Sequence, residues 1–105
     1  MSIEINSKHE PTSNFWEVSV AGELDVSTAE ELKKYLHKLV DEKNIDMRLN
    51  VEKLDYIDST GLGVMIGILK RLKTEEKEVY IEKPKNNVRK IFSITGLDKV
   101  FKLEG

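Results

Sequence analysis

Residues 56–67 read YIDSTGLGVMIG and place two adjacent hydroxyl residues and three glycines between an apolar strand and a helix. Glycine-rich turns at such a junction often bind phosphate, because the free backbone N–H groups at the start of a helix attract anions. The segment therefore raises a specific question. The turn could hold a phosphate-bearing ligand, react with one, or receive a phosphoryl group.

The glycine turn does not match the common phosphate-binding or nucleophile motifs. A P-loop needs a lysine directly after its last glycine, whereas no lysine follows this turn before Lys70. The spacing of Gly61, Gly63 and Gly67 is one residue too long for the dinucleotide fingerprint G-x-G-x-x-G. A nucleophile elbow, G-x-S-x-G, would need a glycine at position 57, which is isoleucine.

The usual catalytic partners are also missing. The two histidines, His9 and His37, are far apart in the sequence, and the chain contains no cysteine. His37 lies between Leu36 and Lys38 on a predicted helix, so we expect it to be a solvated helix residue. The sequence therefore predicts that the chain is not an enzyme and that it needs no metal ion or cofactor.

Length and charge narrow the possible partners. The 105 residues suffice for one domain, 1–105, with 17 basic and 19 acidic side chains and a net charge of −2. Such a chain has no basic field for nucleic acid. No apolar run approaches the roughly 18 residues of a membrane span, so we expect no membrane partner. We therefore expect a soluble, cytoplasmic domain.

Hydrophobic periodicity outward from the glycine turn predicts alternating strands and helices. Strands are predicted at residues 3–5, 16–20, 45–51 and 79–81, with Gly22 ending the second of them. Helices are predicted around 29–40, from the glycine turn to about Thr74, and around 88–95, where Gly96 terminates the last. Residues 100–103 form a final element of undetermined type. The order predicts an α/β domain: an initial antiparallel hairpin, then parallel βαβ units in a small mixed sheet packed with helices.

Residues with capping side chains precede each predicted helix. They are Ser27 or Thr28 for the first helix, in capping boxes with Glu30 or Glu31, and Asn86 or Asn87 for the third. Ser59 falls at the N-cap of the second helix, where Asp58 or Thr60 could serve as well. The Ser59 hydroxyl is therefore not essential as a cap, and the helix N–H groups could accommodate a phosphate made on it.

The helix after the glycine turn has two different sides. At about 100° per residue, the core side is formed by Leu62, Met65, Ile66, Ile68, Leu69 and Leu72. The opposite side carries Thr60, Gly63, Val64, Gly67 and Arg71. A glycine inside a helix costs about 0.5–1 kcal/mol relative to alanine, so the two outward glycines need a reason. Either they let another protein surface approach closely, or they make room for a neighbouring loop of the same domain.

Three blocks of the sequence resemble the anti-sigma factor antagonists of the STAS domain class. They are GELD at residues 22–25, DSTGLGV at 58–64 and ITGL at 94–97, and DSTGLGV is the most specific. Their order and spacing fit across essentially the whole chain. Within the class, the sequence is most similar to the general-stress antagonists of Gram-positive bacteria and next to the sporulation antagonists. The latter tend to have a serine where this chain has Thr60, and Ile57 stands where methionine is common.

The resemblance implies a partner-switching mechanism. Unphosphorylated antagonists bind an anti-sigma factor that is also a serine kinase, and so free the sigma factor. The kinase, which uses ATP and Mg²⁺ of its own, phosphorylates the antagonist and the two dissociate. A PP2C-type phosphatase restores the active form. The phosphoacceptor of the family follows the aspartate of the block, which is Ser59 in this sequence.

The outward side of the helix and the resemblance together give a predicted partner-binding set. Its members are Gly22, Glu23, Leu24, Asp25, Asp58, Ser59, Thr60, Gly61, Gly63, Val64, Gly67 and Arg71. Two other interpretations stay open. The chain could be a STAS interaction module of another signalling or sensor assembly, which affinity for an anti-sigma kinase would separate. It could also be a small α/β enzyme or a phosphoaspartate receiver, but no acidic pair follows the first strand.

Overall fold

The structure, a computed structural model, describes residues 2–105 and shows alternating strands and helices. The strands are β1 (Ile3–Lys8), β2 (Phe15–Leu24), β3 (Asp46–Asn50), β4 (Leu54–Ile57), β5 (Val79–Glu82) and β6 (Lys102–Glu104). The helices are α1 (Ala29–Glu42), α2 (Ser59–Thr74) and α3 (Asn86–Ile94), and a 3-10 turn at Leu97–Lys99 precedes β6.

The predicted mixed sheet is confirmed. Its strand order is β1-β2-β3-β5-β6, and β4 is attached to β2. β1 and β2 are antiparallel, as in a hairpin, whereas every other strand pair is parallel. Parallel neighbours need crossover connections, and the helices supply them.

The structure separates β4 from β3, which the sequence pattern does not. Residues 15–19 of β2 pair with β3, and residues 22–24 of the same strand pair with β4. A turn at Glu52 and Lys53 divides the two shorter strands. The sequence pattern predicts that Gly22 ends the second strand. In the structure, Gly22 instead lies at an irregularity within β2. A Cβ at Gly22 would lie 2.4 Å from the backbone oxygen of Ser2, and the φ of +103° also favours glycine.

One face of the sheet forms the core with the helices. The apolar positions predicted for α1 are all buried, and they are Ala29, Leu32, Leu36, Leu39 and Val40. On α2 the prediction is confirmed for Leu62, Met65, Ile68, Leu69 and Leu72, whereas Ile66 is only half-buried. In β3 and β5, buried residues alternate with partly exposed ones, so the other face of the sheet meets solvent.

The two predicted helix caps outside the glycine turn are wrong in detail. Thr28 stands at the N-cap position of α1, but its side chain makes no capping hydrogen bond to the helix. The N-cap of α3 is Lys85, and the Asn87 amide instead donates to the backbone oxygen of Asp55 at 2.9 Å. Local sequence favours a cap in both cases, but the Thr28 hydroxyl bonds to the loop before α1 and the Asn87 amide bonds to β4.

The C-terminal element of undetermined type consists of the 3-10 turn and β6. Gly96 has a φ of +76°, as expected for a glycine that terminates a helix. β6 is held by Arg48, whose guanidinium donates to Glu104 at 2.7 Å and to Glu82 at 3.1 Å. The same guanidinium lies 4.1 Å from the ring centre of Tyr80, which adds a cation–π contact.

Candidate functional site

The glycine turn forms the junction between β4 and α2, and Asp58 caps the helix there. The Asp58 backbone is extended, and its carboxylate accepts a hydrogen bond from the Gly61 N–H at 3.0 Å. Ser59 is the first residue of α2 and not its N-cap, which corrects the prediction from sequence. Because Asp58 does the capping, the fold does not use the Ser59 hydroxyl for this purpose.

Ser59 is accessible at the start of the helix. Its side chain is exposed, and within residues 2–105 its hydroxyl has no hydrogen-bond partner. It stands at the positive end of the macrodipole of α2, where a negative group is favoured. A phosphoryl group on this oxygen would therefore not have to displace any contact of the fold.

The second part of the predicted set, residues 22–25, lies directly against this junction. The Asp58 N–H donates to the Leu24 backbone oxygen at 3.1 Å. The side chain of Leu24 is fully buried, and a Cβ at Gly61 would come within 2.6 Å of its Cγ. Gly61 thus lets α2 begin in close contact with Leu24. These two residues are buried, so any effect on a partner would pass through the position of their neighbours.

Asp25 is occupied within its own loop. Its carboxylate accepts hydrogen bonds from the Ser27 hydroxyl at 2.6 Å and from the Ser27 N–H at 2.9 Å. The bond from the Ser27 hydroxyl is the main cause that holds the pKa of Asp25 below its usual value. Of this loop, Gly22 and Glu23 are partly exposed, whereas Asp25 is buried. Glu23 therefore offers the accessible charge next to the junction.

The outward side of α2 borders an open groove. This α1–α2 groove has a volume of about 360 Å³ and is lined by Val26, Ala29, Glu30, Lys33, His37, Thr60, Gly63, Val64 and Gly67. A Cβ added at Gly63 or Gly67 would meet no atom within 4 Å. The alternative that these glycines make room for a loop of the same domain is therefore wrong.

Arg71 is not free on this side of the helix. Its guanidinium donates to His37 Nδ1 at 2.9 Å and to the His37 backbone oxygen at 3.2 Å, and it also binds the Asp41 carboxylate. Arg71 thus ties α2 to α1 at the end of the groove. His37 is half-buried and in contact with Arg71, which corrects the expectation of a solvated residue. Burial, followed by the charges of Arg71 and Lys33, lowers the pKa of His37.

The wall of the groove opposite α2, which is formed by α1 and the loop before it, was not predicted from the sequence. Val26 is the most conspicuous member, because 78% of it is exposed although it is a large apolar residue. A signal for it existed: Val26 is an apolar residue directly after the GELD block, and it precedes both candidate caps of the first helix, so it is not part of the predicted core face of that helix. An apolar residue outside the core pattern and beside a candidate site is a candidate contact.

Residues 2–105 lack two further features. No helix in this part of the chain is long and apolar enough to cross a bilayer. Among the same residues, no three histidine, cysteine, aspartate or glutamate side chains are grouped so that they could hold a metal ion.

Comparison with known proteins shows what the chain is similar to. Residues 7–105 match the STAS domain family. The chain is 39% identical over 95 residues to the anti-sigma-B factor antagonist of Staphylococcus aureus (strain NCTC 8325 / PS 47). The aligned residues cover 90% of this chain and 88% of that protein.

Two solved structures extend the comparison. The crystal structure of an anti-sigma factor antagonist from Mycobacterium paratuberculosis has a TM-score of 0.81 and 26% identity, covering 98% of this chain and 86% of that one. The Bacillus cell fate determinant SpoIIAA in its phosphorylated form has a TM-score of 0.73 at 21% identity, covering 95% and 90% of the two chains, and shows the shared fold. By its sequence and its fold, this chain belongs to the STAS domain family.

Proposed function

We propose that this protein is an anti-sigma factor antagonist controlled by phosphorylation of Ser59. In its unphosphorylated form it binds an anti-sigma factor that is also a serine kinase, and the sigma factor is released. The identity of 39% with an anti-sigma-B factor antagonist over most of both chains supports the class. The observation that carries the switch is the exposed Ser59 hydroxyl, which the fold leaves unused beside an open groove.

The position of Ser59 favours its role as phosphoacceptor. Asp58 caps α2, so a modified Ser59 would not uncap the helix. Thr60, the neighbouring hydroxyl, lines the groove and would be covered by a partner docked there. The existence of a phosphorylated form of SpoIIAA, a protein with the same fold, is consistent with such chemistry.

A phosphoryl group should act on the interface and leave the fold intact. Phosphoserine adds about −1.5 to −2 charges at pH 7. The N-terminus of α2 favours that charge by about 0.3–1 kcal/mol, although the Asp58 carboxylate nearby opposes it. In a closely packed contact, an unpaired buried charge costs about 2–5 kcal/mol. That cost corresponds to binding weaker by roughly 30-fold to several thousand-fold.

The docking surface of this proposal is the junction together with the α1–α2 groove. Glu23, Asp58 and Thr60 supply polar contacts around Ser59. Gly63, Val64 and Gly67 form the floor of the groove, where the two glycines have no side chains. Val26 is an exposed apolar residue at the edge of the groove, where a partner could pack on it. An interface with a well-packed apolar centre and a polar rim is typical of specific protein contacts.

The remaining parts of the switch belong to partners. The kinase supplies the ATP and Mg²⁺ site, so this chain is a substrate and binding partner and not an enzyme. A PP2C-type phosphatase removes the phosphoryl group and restores binding. The proposal implies a cytoplasmic location for the chain.

The test is incubation with the anti-sigma kinase of the same organism and Mg-ATP, followed by mass spectrometry of the modified peptide. We expect one phosphate at Ser59 and none on Ser59→Ala. Ser93→Ala, a control at an exposed position of α3, should be modified normally. Stoichiometric phosphate on Ser59→Ala would move the site, first to Thr60. A chain that neither binds the kinase nor is modified by it would instead favour a STAS module of another sensor assembly.

A further inference from the structure

Thr28 has a buried hydroxyl that the proposed switch does not yet use. Its side chain is 4% exposed, and it stands at the N-cap of α1 without capping that helix. The hydroxyl is turned back toward the preceding loop. It donates to the Glu23 backbone oxygen at 2.8 Å and accepts from the Asp25 N–H at 3.0 Å. Thr28 therefore fixes the backbone on both sides of Leu24.

Leu24 transmits this position to the start of α2. Its backbone oxygen accepts the Asp58 N–H at 3.1 Å, and Leu24 pairs in register with Ile57 at the end of β4. Its side chain packs so closely on the first turn of α2 that a Cβ at position 61 would lie 2.6 Å from the Leu24 Cγ. Each displacement of Leu24 would thus move Asp58, which immediately precedes Ser59.

We propose that Thr28 is a positioning residue for the phosphoacceptor: through Leu24 and Asp58, its hydroxyl fixes Ser59 in the geometry that the partner kinase recognises. This inference rests on the proposed function for its kinase step. Phosphoryl transfer requires the attacking oxygen to be in line with the leaving group, so a displaced acceptor lowers the rate.

The test compares a substitution that removes the Thr28 hydroxyl with one that keeps it. Thr28→Val keeps the shape of the side chain but leaves the Glu23 oxygen and the Asp25 N–H without a partner. Thr28→Ser keeps both hydrogen bonds and loses only a methyl group. Ile81→Val, in the fully buried part of β5, serves as a control that lowers stability without contact to the loop.

The first measurement needs no partner. Amide hydrogen exchange of the intact protein, followed by NMR, reports on the Asp58 N–H. We expect Thr28→Val to exchange this amide about tenfold faster relative to the amides of β3, since the loop that accepts its hydrogen bond is loosened. Thr28→Ser should restore slow exchange at Asp58, and Ile81→Val should not accelerate it selectively.

The second measurement is the kcat/KM of the anti-sigma kinase with each variant as substrate, at a temperature where all are folded. We expect a value at least about tenfold lower for Thr28→Val, equivalent to about 1.4 kcal/mol, and near-normal values for Thr28→Ser and Ile81→Val. A Thr28→Val protein with unchanged Asp58 exchange, or with an unchanged kcat/KM, would overturn the positioning role. If the wild-type protein is not phosphorylated at Ser59, the proposed function fails together with the kinase step of this inference, and the exchange experiment still decides whether the Thr28 hydroxyl holds Asp58 in place.

Discussion

The first turns of α2 have two sides that are built in opposite ways. On the packed side, Gly61 lies against Leu24, and a Cβ there would be 2.9 Å from the Leu24 backbone oxygen. On the groove side, a Cβ added at Gly63 or Gly67 would have no atom within 4 Å. Glycine is therefore needed for packing on one side of α2, whereas on the other side no contact within this domain requires it. Stability and binding should respond to different substitutions of the same helix.

The largest effect is expected at the end of the groove side, where Ser59 is exposed. Ser59→Asp places a fixed charge at the contact and should weaken binding to the anti-sigma kinase by about 30-fold or more, since an unpaired buried charge costs at least about 2 kcal/mol. The melting temperature should stay within about 3 °C, because a negative group is tolerated at a helix N-terminus. Calorimetric titration and thermal unfolding measure the two quantities.

Ser59→Ala and Ser93→Asp are the controls for this prediction. The first should bind like the wild-type protein, because Asp58 and not Ser59 caps α2. The second adds the same charge at an exposed position of α3 and should leave binding unchanged. Normal affinity of Ser59→Asp, or a collapse of its melting temperature, would contradict an interface mechanism.

A smaller loss of binding is expected from filling the groove. Gly67→Arg should reduce affinity by about tenfold or more, equivalent to about 1.4 kcal/mol, because the side chain occupies space that a partner needs. Folding should be nearly unaffected, since a Cβ at position 67 meets no atom within 4 Å. Gly67→Ala, which adds only a methyl group, is the control and should bind far better than Gly67→Arg. A Gly67→Arg protein that binds normally would remove the groove from the interface.

The last prediction concerns the free energy of unfolding alone and compares the two sides of α2 directly. Gly61→Ala should lower the free energy of unfolding by about 1–3 kcal/mol, because its Cβ overlaps with Leu24. Gly63→Ala should raise it by about 0.5–1 kcal/mol, because alanine is the better helix former and has room. Urea unfolding of both variants decides the matter. The comparison is wrong if Gly61→Ala is as stable as Gly63→Ala.

The parts of the fold that follow from periodicity could be predicted from the sequence. The two-residue alternation of β3 and β5 and the helical spacing of α1 correspond to burial in the structure. The Asp58 cap of α2 was among the alternatives from the sequence, but the side-chain caps predicted for α1 and α3 do not form, because other backbone groups compete for those side chains. The Thr28 hydroxyl bonds to residues 23 and 25, and that loop is fixed by the pairing of β2 with β4. A capping-box pattern contains no information on such competition.

For the candidate site, the sequence identified the α2 side of the groove but not the α1 side. Thr60, Gly63, Val64 and Gly67 do share one surface, as helical geometry predicts. Arg71 was placed on the same side correctly, but its bond to His37 required knowledge that α1 packs beside α2. Residues of α1 join the site only through tertiary packing, which a single sequence does not specify.

The open space around Gly63 and Gly67 has a consequence for cells that express several related regulators. A bulkier residue at either position would meet no atom of its own chain within 4 Å of its Cβ, so mutation can alter side-chain volume there without a penalty in folding. Paralogues can thus acquire mutually exclusive partners by steric mismatch alone. A difference in side-chain volume at these two positions would separate the partners of two domains that otherwise share this fold.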